Sequence, residues 1–384
     1  MVYSQIEERQ ILKITRCEIK KSKQELRLLV TFVKKLKLKT NPNKGIIIWL
    51  LTGCFLVYVM VIVGCITRLT HSGLSITDWN FMGTLPPFSE EAWMDRFSKY
   101  QESPEFKIIN STMQLQEFKS IFWWEYIHRM IGRFIGFVFI SGFLYFLIRK
   151  KFNTGLIRKM LVLLGLGMLQ GLIGWWMVKS GLVKDPAVSH YRLATHLMSA
   201  FTVFAFTFWY ALELLNVSEE SVATANSDSK LKGIILLTGV VTIMQLIYGA
   251  FVAGLKAGLY YPTWPKMGNE WFPEETILTS DSVIKDFTEN GAGVQFIHRT
   301  LAWVVVAMVI VLWVRSAGLR KSLSKGMYNG ITMLIYLLTA QIMLGIFTLL
   351  YSVPVVLGVL HQTVAFFIFA NLVFLVFKSF RKVA

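Results

Sequence analysis

Long apolar runs recur along this chain, at about 46–66, 127–148, 160–178, 194–212, 233–253, 298–314, 328–349 and 357–377. Each is close to the ~20 residues that a helix needs to cross a bilayer. They predict an all-α polytopic membrane protein with eight transmembrane helices. An even number of crossings puts both termini on one side. The longest polar stretch, 67–124, carries a patterned segment from Ser89 to Trp124 that predicts one or two short helices lying over one membrane face. Trp123 and Trp124 are expected as interface anchors.

Composition agrees. Hydrophobic residues make up 54% of the chain and charged residues only 16%, against the ~25% charge of a soluble domain. The formal charge of +17 would suggest nucleic acid in a soluble protein. Here the charge sorts by loop, and no nucleic-acid partner is expected. Segments 1–44, 149–159, 213–232, 315–325 and 378–384 hold 26 Lys/Arg against 8 Asp/Glu, although 213–232 is itself acidic. Loops 67–124, 178–194 and 253–297 hold 11 against 14. The basic excess predicts cytoplasmic termini. The three cysteines, Cys17, Cys54 and Cys65, include no pair in an outer loop, so no disulfide is expected.

The chain also repeats itself. EYIHR at 125–129 returns as QFIHR at 295–299, and His196, Ala200 and Phe201 return as His361, Ala365 and Phe366. Gln170 and Gly174 return as Gln341 and Gly345; Gly64, Gly73, Trp79 and Met82 return as Gly249, Gly258, Trp264 and Met267. The matches keep their order. They predict two pseudo-symmetric four-helix bundles, residues 45–212 and 233–377, about an axis along the membrane normal. A basic tail (1–44), an inner linker (213–232) and a short tail (378–384) complete the division.

Four of the six histidines, His128, His196, His298 and His361, stand near the outer ends of the even-numbered spans. Histidine in a membrane helix is costly and marks a partner or a function. Zinc would need three or four protein ligands, and neither half supplies them. Two imidazoles meet the axial needs of a haem iron, and a four-helix bundle can hold the ring in its core. This pairs His128 with His196 and His298 with His361. Gly132, Gly171, Gly174, Gly249, Gly254 and Gly345 offer close approach to a ring or to a neighbouring helix. Gln170, Gln245 and Gln341 each precede a glycine by four positions, as hydrogen-bond donors to a cofactor or as links between helices.

One break in the repeat changes chemistry: Glu125 answers to Gln295. Glu125 lies three residues before His128, on nearly the same helix face. It is a candidate for proton transfer or for trapping an oxidised intermediate, with an N-terminal helix cap as the plainer alternative. Arg129 and Arg299 suit haem propionates or simple topology anchoring. His71 and His190 are read as surface residues of the outer loops. An electron-transferring bis-histidine cytochrome and a duplicated transporter are the other function classes.

GCITRLTHSGLSITDW (64–79), FWWEYIHRMIGR (122–133), YPTWPKM (261–267), QFIHR and LHQT (360–363) resemble the haem A synthase family, in the branch found in mitochondria and many Gram-negative bacteria. The resemblance covers roughly 45–377. It implies oxidation of the methyl group of haem O to the formyl group of haem A, for terminal oxidases. It implies haem b as cofactor at His298 and His361, the substrate haem at His128 and His196, and Glu125 as the acid of the reactive half. An external electron donor is implied, and haem O synthase and oxidase assembly factors are expected partners. The expected location is the bacterial inner membrane.

Overall fold

The computed structural model describes residues 41–77, 85–182, 186–215, 229–277 and 282–380. Most of the basic tail and of the inner linker, the repeat positions Trp79 and Met82, and residues 381–384 lie outside them. Eleven α-helices are described: α1 (Lys44–Leu69), α2 (Glu90–Gln101), α3 (Pro104–Ile108), α4 (Leu115–Ile148), α5 (Thr154–Gly181), α6 (His190–Leu214), α7 (Ser229–Gly254), α8 (Val283–Thr288), α9 (Gly291–Gly318), α10 (Lys325–Leu350) and α11 (Val355–Phe380). Eight of them, α1, α4, α5, α6, α7, α9, α10 and α11, are long and apolar enough to cross a membrane. The chain is an all-α, multi-pass membrane protein. Helices satisfy every backbone group within the segment, which hydrocarbon demands.

Polar side chains start several of these helices. Ser89 accepts from the Ala92 N–H, Asn153 from Leu156, Asn290 from Ala292 and Ser324 from Met327. Each satisfies a donor the first turn leaves unpaired. The span expected from 127 begins instead at Leu115, because a Gln114–Glu117 capping box starts it earlier. Glu117 accepts from the Gln114 N–H at 2.9 Å. Three extra turns therefore project beyond the apolar run. The short helices expected over the outer face are α2 and α3. Ile76, Trp93, Phe97, Tyr100, Phe118 and Phe122 form a buried cluster that seats them on the α4 extension. His190 is not a loop residue: it is the first residue of α6, its ring edge-on to Phe251 at 5.2 Å.

α1 packs against α4 and α6, and α5 lies on α6; α7 packs against α9 and α11, and α10 lies on α11. The centre of the molecule is the meeting of α1, α6, α7 and α11. Cys54, Val57, Val61, Phe201, Phe204, Leu246, Phe366 and Phe369 fill it. Phe204 meets Phe366 at 4.5 Å and Phe201 meets Phe369 at 4.8 Å between ring centroids. Helices in lipid gain no hydrophobic drive from one another, so such packing holds them together. On the opposite side from the outer cap, Lys159 pairs with Glu213 and ties α5 to α6.

Phe118, fully buried in the outer cap, gives a direct test of how α2 and α3 are attached. Phe118→Ala should cost the cap about 3–5 kcal/mol. Proteolysis within 90–108 should accelerate, while Phe137→Ala, at an exposed position, should leave it unchanged.

Candidate functional site

The four histidines share one local arrangement. Each imidazole lies against a glycine of the preceding membrane helix. A Cβ built on Gly64 would stand 3.0 Å from His128 Cε1, and one on Gly174 would stand 2.9 Å from His196 Cε1. The corresponding distances are 3.3 Å from Gly249 to His298 and 3.0 Å from Gly345 to His361. A side chain at Gly174 would force the ring to shift, and one at Gly64, Gly249 or Gly345 would crowd it. Helix α1 thus seats the ring from α4, α5 the ring from α6, α7 the ring from α9, and α10 the ring from α11.

The glutamines resolve in the same way. Gln170 Nε2 lies 3.3 Å from His196 Nδ1 and donates to the His196 carbonyl at 3.2 Å, while Ser199 donates to Gln170 Oε1. Gln245 reaches His298 Nε2 at 3.5 Å and Gln341 reaches His361 Nε2 at 3.2 Å. Nδ1 of His128, His298 and His361 is buried without a partner. An orphaned ring nitrogen in apolar surroundings is costly unless something not made of protein meets it. Gly254, grouped with these glycines from sequence, instead receives the His190 Cβ.

Glu125 is 3% exposed and sits well inside α4, so it caps no helix end. Its Oε2 accepts from the Ser75 hydroxyl at 2.7 Å and from the Ile76 N–H at 2.8 Å. Its Oε1 accepts from Arg129 at 2.6 and 3.1 Å, and Arg129 also donates to the Ile76 carbonyl at 3.0 Å. The pair clamps the segment after α1 onto α4. In the other half, Arg299 donates to the carbonyls of Tyr261, Thr263 and Lys266 at 2.8, 3.0 and 3.3 Å. Gln295 donates to the Tyr261 carbonyl at 3.2 Å. Its Oε1 and the Arg299 Nε are buried without partners. The two clamps use equivalent carbonyls, since Ile76 and Tyr261 share the spacing of Gly64 and Gly249. Sequence reading missed Ser75 and Ile76 as partners of Glu125. The Glu125–Arg129 spacing was a visible signal, as residues four apart share a helix face.

Arg68 donates to the Ala253 and Gly254 carbonyls at 2.8 and 3.0 Å and joins α1 to the end of α7. Outside the membrane spans, Glu105 is 6% exposed. It accepts from the Tyr100 hydroxyl at 3.1 Å, and Asn110 donates to that hydroxyl at 2.8 Å. Burial raises the Glu105 carboxyl to about 7, and the nearby Glu125 charge adds to the rise.

A profile of cytochrome oxidase assembly proteins, COX15-CtaA, matches residues 47–373. The chain belongs to this family. It is 48% identical over 333 residues to the haem A synthase of Flavobacterium psychrophilum, covering 86% of this chain and 96% of that protein. It is 44% identical to the haem A synthase of Nitrosospira multiformis, covering 88% and 94%. Similarity extends to the haem A synthase COX15 of Arabidopsis thaliana, 41% identical over 89% of this chain and 74% of the plant protein.

The raised Glu105 carboxyl gives the outer cap a pH dependence. Its folded value of about 7 lies above the ordinary 4.5. The stability it confers is therefore complete below 4.5 and is lost as pH rises through about 7. Hydrogen exchange of 100–110, corrected for intrinsic rate, should show weaker protection at pH 8 than at pH 5. Glu105→Gln should remove that difference.

Proposed function

We propose that this chain is a haem A synthase, which oxidises the methyl group of haem O to the formyl group of haem A. The observation that carries the reading is the four histidine-on-glycine contacts, two in each half. Among the described residues, no three of His, Cys, Asp and Glu converge as a larger ligand set. Pairs of imidazoles match the axial needs of a haem iron. Unpaired buried nitrogens on His128, His298 and His361 and glycines that let each ring approach backbone fit the same group.

Two four-helix halves, 45–212 and 233–377, related by a pseudo-two-fold axis along the membrane normal, accommodate these pairs. Supporting this is the packing order of first helix on second and fourth, and third on fourth, which recurs in both. His298 and His361 hold haem b in the second half, and His128 and His196 hold the substrate haem in the first. Gly132 and Gly136 follow His128 along α4, and Gly167 and Gly171 precede Gly174 along α5, where the other half has Ala302, Val306, Leu338 and Ile342. Three of them, Gly136, Gly167 and Gly171, have no atom within 4 Å of a built Cβ. A face made of glycine on two helices, against larger side chains at the matching positions, supports an exchangeable occupant in the first half and a resident one in the second.

Haem b, when bound, relays electrons from an external donor to the reactive half. Glu125 holds or moves a proton at Oε2 beside His128, and the Ser75 hydroxyl that touches Oε2 is its nearest exchange partner. Arg129 keeps the carboxylate aimed by gripping Oε1. Gln295 hydrogen-bonds at the equivalent position without carrying a proton. Arg299 presents its unpaired Nε to a propionate of haem b, and Arg129 takes the matching place for the substrate haem. Haem O synthase and oxidase assembly factors are the partners upstream and downstream. The protein sits in the bacterial inner membrane, with both termini cytoplasmic.

Glu125→Gln tests the acid. Loss of general acid–base help is worth about 10²–10⁴-fold in rate. The variant should assemble, retain haem b, bind haem O and yield little haem A, read by chromatography of extracted haems. Near-normal haem A would remove Glu125 from the chemistry.

Orientation has its own test. Cysteines placed at the exposed positions Glu102 and Asn269 should react with an impermeant thiol reagent in intact cells, and one at Lys321 should not. Equal labelling at Lys321 would reverse the topology.

A further inference from the structure

Three of the four histidines are held by an amide that the fourth lacks. Gln170, Gln245 and Gln341 each stand four residues before the glycine that seats a ring, and each reaches a nitrogen of that ring at 3.2–3.5 Å. Four residues before Gly64, the seat of His128, the chain has Met60. Its methyl group packs toward α4, where a Cβ built on Gly132 would stand 3.4 Å from Met60 Cε. A thioether is at best a weak acceptor. His128 alone of the four makes no side-chain hydrogen bond among the described residues; its buried Nδ1 is unpaired, as are those of His298 and His361.

The difference bears on how firmly each ring is aimed. A hydrogen bond to the second nitrogen of a metal-bound imidazole fixes its tautomer and rotation. Each of three rings has an amide at one nitrogen, Nδ1 of His196 and Nε2 of His298 and His361, leaving the other nitrogen for a metal. His128 is steered only by apolar contacts with Gly64 and its surroundings. The exception also falls on α4, three residues from Glu125, in the half with the open glycine face. An iron held by two imidazoles has no open position, so any small ligand that must reach it needs one imidazole to leave.

Resting on the assignment of His128 and His196 to the substrate haem, we propose that His128 is the releasable ligand and that Met60 is what keeps it releasable. On release the coordinate bond breaks, its electron pair stays on the imidazole, and the freed position opens on the Glu125 side of the helix. His196, held by Gln170 and Ser199, remains bound. The second half has amides beside both rings and releases neither.

Carbon monoxide reads this without turnover. Anaerobic, dithionite-reduced protein purified with both haems should bind it at the substrate haem alone. Met60→Gln should weaken that binding about 2- to 10-fold, the range one hydrogen bond supplies, while the low-spin haem b spectrum stays unchanged as a folding control. Unchanged carbon monoxide affinity in that variant would overturn the proposal. A second comparison stands if Met60→Gln does not assemble. His128→Ala should retain haem O in a high-spin, carbon monoxide-binding form, whereas His196→Ala should lose it. Equal loss from both, or the reverse order, would overturn the proposal and leave the substrate site intact. Full low-spin haem O in both variants would instead overturn the site assignment beneath it.

Discussion

The candidate site depends first on imidazoles that pack against helix backbone. With no Cβ at Gly64, Gly174, Gly249 or Gly345, a ring from one helix reaches the main chain of its neighbour. The contact sets the separation of each helix pair and the depth of each histidine together. Protein interiors transmit strain because they are close-packed, so a methyl group at one glycine would displace the ring or part the helices. The central aromatic seam of Phe201, Phe204, Phe366 and Phe369 then fixes α6 against α11.

The outer clamp shows how a shared frame carries two chemistries. An arginine one residue beyond His128 and another one residue beyond His298 grip equivalent carbonyls, those of Ile76 and Tyr261. Around that common element the neighbouring side chain differs. Glu125 collects donors from Ser75, Ile76 and Arg129, whereas Gln295 gives its own N–H to Tyr261. The carboxylate is compatible with burial because four donor contacts surround it. The geometry of the segment survives the change of one functional group, and its acid–base character does not.

Much of this was legible in the chain. A bilayer tolerates few backbone solutions, so eight apolar runs announce eight helices. The histidines stood out because the pattern occurs twice, and a second copy is an internal control on the first. The early start of α4 was hidden, since hydropathy registers lipid and the extra turns lie against Trp93 and Phe97 instead. His190 was misjudged for a similar reason: its flank is polar, but Phe251 and Gly254 cover it. The Glu125–Arg129 pair was written in its spacing, while Ser75, 50 residues away, was not. Met60 drew no attention because a methionine in an apolar run looks ordinary, and only the three glutamines in equivalent contacts make it an exception.

The placement of the rings makes occupancy a mechanical property. The rings on α4 and α6 rest on α1 and α5, and those on α9 and α11 rest on α7 and α10, so a group held between two such rings would gather four helices. Any ligand that binds only the assembled form stabilises it by mass action. Without such a group the helices are kept by lipid-phase packing alone, and α4 and α5, whose membrane-crossing stretches bury almost nothing inside the protein, have least to hold them. Membrane proteases that sample loosened helices would therefore remove unloaded copies first, and the steady-state amount of this protein would follow the supply of the group that the histidines hold.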